Sequence, residues 1–294
     1  MEKLDRADQH LRRGEYDKAV KLYEELYLAR PEEESILLRL AWANYDRGAT
    51  AEAIAYLEIL LQRELQRKIF TGFAFDELVR IYKQEKNYVR LTEICRRAVE
   101  QQPEDIGLLI ELGNAFLKSG NDGEACLIYE KAVRMENDNP ALYCLWGEAL
   151  FAAGRPQESE AAYLQAGKLD PEQLDRYYFK IAELFAKRGG YNDAQRLLEM
   201  CIAVSPSQPV YHCCAGDAFI GLGRIAEALM KYETAVTLDN SGSGAYYNRL
   251  GNSLTRAGYH KEAAAVFRKA MERESDNPAY ARHLALACKN LGVD

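Results

Sequence analysis

Unbroken apolar sequence is missing from this chain. No stretch of its 294 residues approaches the ~18 consecutive apolar side chains that a membrane-spanning helix needs. The polar start, MEKLDRADQHLRRGEY, lacks the apolar core of a secretory leader. Positive charge is in deficit: the formal net charge is -7, which argues against nucleic acid as a partner, since phosphate binding needs a basic field. Paired cysteines are absent too. The seven cysteines (95, 126, 144, 201, 213, 214 and 288) are odd in number, follow no disulfide framework and form no paired C-x-x-C motif. They read as reduced thiols packed as small apolar residues, and so as a cytoplasmic protein. Only four histidines occur, none in an H-E-x-x-H pair. The one local cluster, His212-Cys213-Cys214, cannot easily converge on one metal, because consecutive helical residues point in different directions. Cys213 is left as a candidate groove-facing, modifiable thiol. No phosphate loop, dinucleotide fingerprint or nucleophile elbow is present. No metal and no cofactor are therefore expected, and an enzyme is the least favoured class.

What is present is apolar content and a period. A chain with 48% hydrophobic and 28% charged residues can build a long core, which excludes disorder. A mostly small residue returns at Ala19, Ala53, Leu91, Ala125, Ser159, Ala194, Ala228 and Ala263, at intervals of 34, 38, 34, 34, 35, 34 and 35 residues. A fixed step of that length marks a solenoid, whose units bury their apolar faces against neighbours. Other columns keep the step. Glycine recurs at Gly14, Gly48, Gly120, Gly154, Gly189, Gly223 and Gly258, with Lys86 breaking the series; it suits a left-handed residue that ends a helix. A small residue recurs within the first helix at Ala7, Ala41, Gly113, Gly147, Ala182, Gly216, Gly251 and Ala285, with Val79 the exception. Glycine there costs about 1 kcal/mol relative to alanine, which close helix–helix approach would offset. A large residue recurs at Tyr23, Leu57, Tyr129, Tyr163, Leu198, Tyr232 and Phe267, with Cys95 once in its place.

These columns resemble the tetratricopeptide repeat, most clearly in Trp146-Gly147-x-x-Leu150 … Gly154 … Ser159-x-x-x-Tyr163-x-x-Ala166 … Pro171. The resemblance covers nearly the whole chain. It implies an all-α fold: a right-handed α-solenoid of about eight helix-turn-helix repeats plus a C-terminal capping helix, forming one superhelical domain. The expected repeats are 1–33, 34–71, 72–105, 106–139, 140–174, 175–208, 209–243 and 244–277, with the capping helix at 278–294. Both ends read as finished, the expectation for a whole protein or a cleanly bounded domain. The 38-residue step predicts about one extra turn in the second helix of the second repeat, with Leu61, Leu65, Ile69 and Phe70 at helical spacing.

The resemblance further implies that the first helix of each repeat lines a concave face. On the corresponding stripe the candidate partner-binding residues are Arg39, Trp42, Arg80, Asn114, Lys118, Arg176, Lys180, Asn248, Arg249, Asn252 and Arg256. Trp42 is either a groove anchor or a ring packed between repeats. From Arg176 onward seven basic residues (Arg176, Lys180, Lys187, Arg249, Arg256, Arg282 and Lys289) face two acidic ones (Glu183 and Asp217). This inversion inside an acidic chain suggests an acidic ligand segment or a C-terminal carboxylate. Asn248 and Asn252 are placed to bond a peptide backbone. Some family members hold a chaperone's acidic C-terminus in a carboxylate clamp. The matching register here offers Ile110, Asn114, Leu145, Arg176 and Lys180, of which three suit the clamp; the isoleucine and the leucine argue against that ligand. The function expected is a protein–protein interaction scaffold, adaptor or co-chaperone-like assembly factor. A regulatory peptide receptor is the alternative. An RNA-binding helical repeat is disfavoured by the charge and by the lack of a repeated base-reading pair.

Overall fold

The computed structural model of the chain describes residues 2–67 and 72–291. Among them every regular element is helical. The α-helices pair as hairpins: α1 (Glu2–Arg12) with α2 (Tyr16–Ala29), α3 (Glu34–Asp46) with α4 (Thr50–Gln66), α5 (Phe73–Gln84) with α6 (Tyr88–Gln101), and α7 (Ile106–Lys118) with α8 (Asp122–Met135). They continue with α9 (Pro140–Ala152) and α10 (Pro156–Leu169), α11 (Leu174–Lys187) and α12 (Tyr191–Val204), α13 (Pro209–Gly221) and α14 (Ile225–Leu238), α15 (Ser243–Arg256) and α16 (His260–Arg273). A lone α17 (Pro278–Asn290) follows. The chain forms two compact units, Met1–Met135 and Glu136–Asp294. Within each, a hairpin also packs on the next, α2 on α3 and α12 on α13 for example, so the fold class is the expected α-solenoid.

All eight hairpin turns share one backbone solution. The first helix ends in a residue with positive φ, and the next residue's N–H returns to the carbonyl five positions back, as in Asn121 to Phe116 and Arg155 to Leu150, both 2.9 Å. The seven expected glycines have φ between 73° and 87°, and Lys86 makes the same turn at φ 56°. Among the described residues it is the only non-glycine with positive φ. Other helix starts are fixed by side chains: Asp105 and Asn139 accept N–H bonds at 3.0 and 3.1 Å, and Pro140, Pro156, Pro209 and Pro278 occupy first helical turns.

Each hairpin closes on a matched pair of side chains sixteen positions apart. A Cβ on Gly113, Gly147, Gly216 or Gly251 would fall 2.5–2.8 Å from the ring of Tyr129, Tyr163, Tyr232 or Phe267 respectively. The missing methyl is therefore what admits the ring, and burial of that ring offsets the helical glycine. Where the first helix carries Val79, the partner position holds Cys95, and both are buried. Ser159, in the small column, donates to the Gly147 carbonyl at 2.6 Å, so its hydroxyl is satisfied in the core. The longer step after Ala53 is visible in α4, which has 17 residues against 14 in α2 and α6. Leu61 and Leu65 lie in it; Ile69 and Phe70 lie outside the described residues.

Candidate functional site

In the second unit the first helices of three successive hairpins, α11, α13 and α15, present two adjoining hollows. The smaller, about 180 Å³, is walled by Phe179, Ala182, Ala186, Tyr191, Leu198 and Ala218, with Glu183, Lys187, Cys214, Asp217 and Arg249 among them. The larger, about 500 Å³, shares Ala186, Lys187, Tyr191 and Asp217 and continues along Ile220, Gly221, Ser253, Arg256 and Ala257. Glycine at 221 is required by the wall: a Cβ there would lie 2.5 Å from the Tyr191 ring.

The polar centre of this face is a three-residue network. Tyr232, the large residue of its hairpin, is buried as a ring, yet its hydroxyl donates to Asp217 Oδ1 at 2.8 Å. Arg249, from the next hairpin, donates to Asp217 Oδ2 through Nε at 3.0 Å and Nη2 at 2.7 Å. Burial works against the Arg249 charge, but the Asp217 carboxylate more than offsets it and holds the guanidinium protonated. Burial, reinforced by Asp217, pushes the Tyr232 phenol far above its ordinary range, so it stays a donor. Arg249 Nη2 also lies 3.1 Å from Cys214 Sγ. Burial raises the Cys214 thiol, with Arg249 opposing incompletely, so it is no activated nucleophile. The groove thiol is thus Cys214. Cys213, expected to face the groove, is fully buried, because neighbouring residues on a helix point about 100° apart.

The first unit repeats the network. Tyr23 donates to Asp8 Oδ1 at 2.6 Å, and Arg39 Nε reaches the same oxygen at 3.0 Å. Beside it lies a hollow of about 370 Å³ lined by Asp8, Leu11, Arg12, Leu38, Arg39 and Trp42. Trp42 is 37% exposed, so its ring lines this hollow and is not enclosed between repeats.

The sequence of hairpins is matched by a family model for the tetratricopeptide repeat over residues 4–65, 110–173 and 215–287, more than half of the chain. The chain belongs to the tetratricopeptide repeat family. Its similarity to the TPR repeat-containing thioredoxin TTL4 of Arabidopsis thaliana is 31% identity over 91 residues, 31% of this chain and 13% of that one. A TPR repeat-containing protein of Treponema pallidum (strain Nichols) is 25% identical over 221 residues, 68% of this chain and 27% of that one. The BBSome complex member BBS4 homolog of Drosophila melanogaster is 23% identical over 158 residues, 50% and 32%. This tetratricopeptide chain spans 13 to 32 per cent of the length of the curated relatives it matches. Among solved structures, the MamA protein matches at 18% identity and TM-score 0.47, over 59% of this chain and 94% of that one. YrrB, a TPR protein with an unusual peptide-binding site, matches at 16% and 0.41, over 65% and 97%.

The tetratricopeptide frame locates the remaining candidate residues. Arg249 and Arg256 line the second unit's face together, and Arg39 and Trp42 share the first unit's hollow. Arg80 lies over the Tyr45 ring at 4.6 Å and pairs with Glu77 at 2.7 Å. Asn114 accepts from Tyr129 at 3.0 Å, and Lys118 is exposed at the end of α7. Arg176 and Lys180 are exposed on α11 outside both hollows, with Arg176 donating to Gln173 at 3.0 Å. Asn248 meets His283 Nδ1 at 2.8 Å, while Asn252 is half-buried. Phe179, Cys214 and Tyr191 are the wall residues that charge-based reading passes over. Phe179 and Cys214 fall on the same stripe as Lys187, so register alone could find them; Tyr191, at the start of a second helix, falls off it. Among the described residues no group of three or more His, Cys, Asp or Glu side chains is placed to hold a metal ion. No described helix is long and apolar enough to cross a membrane.

Proposed function

We propose that this tetratricopeptide chain is a non-catalytic adaptor that holds an acidic segment of a partner protein along α11, α13 and α15. The observation that carries this reading is the pairing state of the charges. Arg249 is committed to Asp217, whereas Lys187 and Arg256, which line the apolar-walled hollows, and Lys180, on α11 outside them, stand exposed and carry no ion pair among the described residues. Unpaired cations at the rim of an apolar surface steer and orient an anionic partner, and the buried walls supply contact area. Free cysteines support a reducing compartment, the cytoplasm.

The test is affinity capture with the full chain and with the Lys187→Glu/Arg256→Glu double variant, followed by mapping of the captured protein on overlapping peptides. The expected result is a captured segment of net negative charge, bound at least tenfold more weakly by the variant and more weakly as salt rises. Equal binding by both proteins, or a bound segment of net positive charge, refutes the acidic-partner reading. Arg249 is unsuited to this test, since reversing it would set two carboxylates face to face at Asp217.

A further inference from the structure

The two hollows of the second unit differ in chemistry, and the difference specifies a ligand pattern. The smaller is the more enclosed and apolar, with the rings of Phe179 and Tyr191 in its wall. An engineered apolar cavity of ~150 Å³ admits benzene, so about 180 Å³ accommodates one aromatic side chain. Its polar rim holds two carboxylates, Glu183 and Asp217. Lys187 and Arg249 balance them in the same lining, and Arg249 is already occupied by Asp217, so the enclosed hollow offers a ligand carboxylate no net positive charge. The larger hollow has the opposite bias at its far end, where Arg256 stands exposed, with Lys187 bordering both hollows. Arg249 and Arg256 are two turns apart on α15, about 10 Å along its axis. An extended peptide advances ~3.3 Å per residue, so the offset corresponds to about three residues.

We infer that the ligand segment carries an aromatic residue seated in the enclosed hollow and an acidic residue about three positions away, held by Lys187 and Arg256. The inference rests on the reading of this face as a peptide groove and adds which side chains the groove selects. The aromatic anchor supplies buried contact; the carboxylate sets its register along the face. A segment with the acid next to the aromatic residue would bring its charge against Glu183, which has no ion pair among the described residues, and away from Arg256.

The experiment selects phage-displayed random dodecapeptides on the immobilised full chain, then measures synthetic copies of the enriched sequences by fluorescence anisotropy. Cys214→Leu adds bulk to the enclosed hollow alone, and Phe179→Ala removes one wall; Lys187→Glu/Arg256→Glu tests the basic end. Far-UV circular dichroism melts establish that each variant is folded, and the two hollow variants check each other should one fail to fold. The expected result is enrichment of an aromatic and an acidic residue about three apart. Both hollow variants should weaken those peptides at least tenfold, as should the charge variant. Peptides that depend on Lys187 and Arg256 but lack the aromatic residue, or ignore both hollow variants, overturn the anchor and leave the groove reading standing. No enrichment over an unrelated protein, or peptides indifferent to every variant, overturns both.

Discussion

Replacing Lys86 by glycine should stabilise the first unit. Lys86 holds φ 56° where the seven equivalent turn residues are glycines at 73–87°. The bonds around it are those of the other turns: its N–H reaches Lys83 at 3.2 Å, and Asn87 N–H reaches Tyr82 at 2.9 Å, matching Gly120 to Leu117 and Asn121 to Phe116. The backbone therefore has no reason to move on substitution, and the exposed lysine side chain has no ion pair to lose among the described residues. A side chain in the left-handed region costs roughly 1–2 kcal/mol. Glycine returns roughly 0.5–1 kcal/mol of that as extra freedom in the unfolded chain. The balance is a gain of about 0.5–1 kcal/mol, or about 2–5 °C in the melting temperature of a unit this size. Urea unfolding followed by far-UV circular dichroism should show a higher midpoint with an unchanged slope. The reciprocal change, Gly120→Ala, should lower the midpoint by a similar energy, about 1 kcal/mol. A midpoint that is unmoved or lowered by Lys86→Gly would refute the assignment of strain to this turn.

Three further outcomes are expected. Gly216→Ala places a methyl 2.6 Å from the Tyr232 ring and should cost about 1–3 kcal/mol by overpacking; a neutral effect on the urea midpoint would mean that the hairpin is less closely packed than described. Asp239 accepts bonds from Ser241, Tyr246 and the Gly242 N–H, which hold its carboxyl below the ordinary aspartate value. Its contribution is complete above the unfolded value near ~4 and is lost as pH falls through the lower folded value, so the midpoint difference between wild type and Asp239→Asn should be constant from pH 7 to 5 and shrink towards pH 3; a difference that widens on acidification contradicts the assignment. Under native conditions iodoacetamide should modify Cys144, Cys214 and Cys288 before the buried Cys95, Cys126, Cys201 and Cys213, as read by peptide mass mapping, and a groove-bound peptide should protect Cys214 selectively; modification of Cys213 ahead of Cys214 would reverse the facing of α13.

Hairpin architecture was legible because each of its columns answers a local physical demand. A left-handed turn asks for glycine, and a ring packed on a helix backbone asks for a missing Cβ; both demands recur at the repeat step, through Gly120 and Gly147 among others, and the recurrence makes them readable. Charge placement was legible only as a stripe. That Arg249 would be held by Asp217 and Arg39 by Asp8 depends on partners from the neighbouring hairpin, a contact that exists only once the hairpins are stacked. The same holds for Tyr191, which joins the groove because Gly221 of the next hairpin lets it lie flat. Cys213 and Cys214 are adjacent in sequence, and a rotation of one residue decides which is buried. The division of the chain after Met135 leaves no trace in the period, since the step from Ala125 to Ser159 is 34 residues like its neighbours.

The matched pairs sixteen positions apart make the hairpin the smallest exchangeable part of this sequence. A recombination event inside a hairpin would join the first helix of one repeat to the second helix of another. Val79 would then meet a residue such as Tyr129, too large for the space, or Gly113 would meet Cys95, too small to fill it. Joints placed between hairpins carry every pair across intact. Duplication, shuffling and the grafting of this groove onto other solenoids should therefore succeed when the cut falls near residues 105, 139, 174, 208 or 243, and fail when it falls at the glycine turns, although those glycines are exposed too.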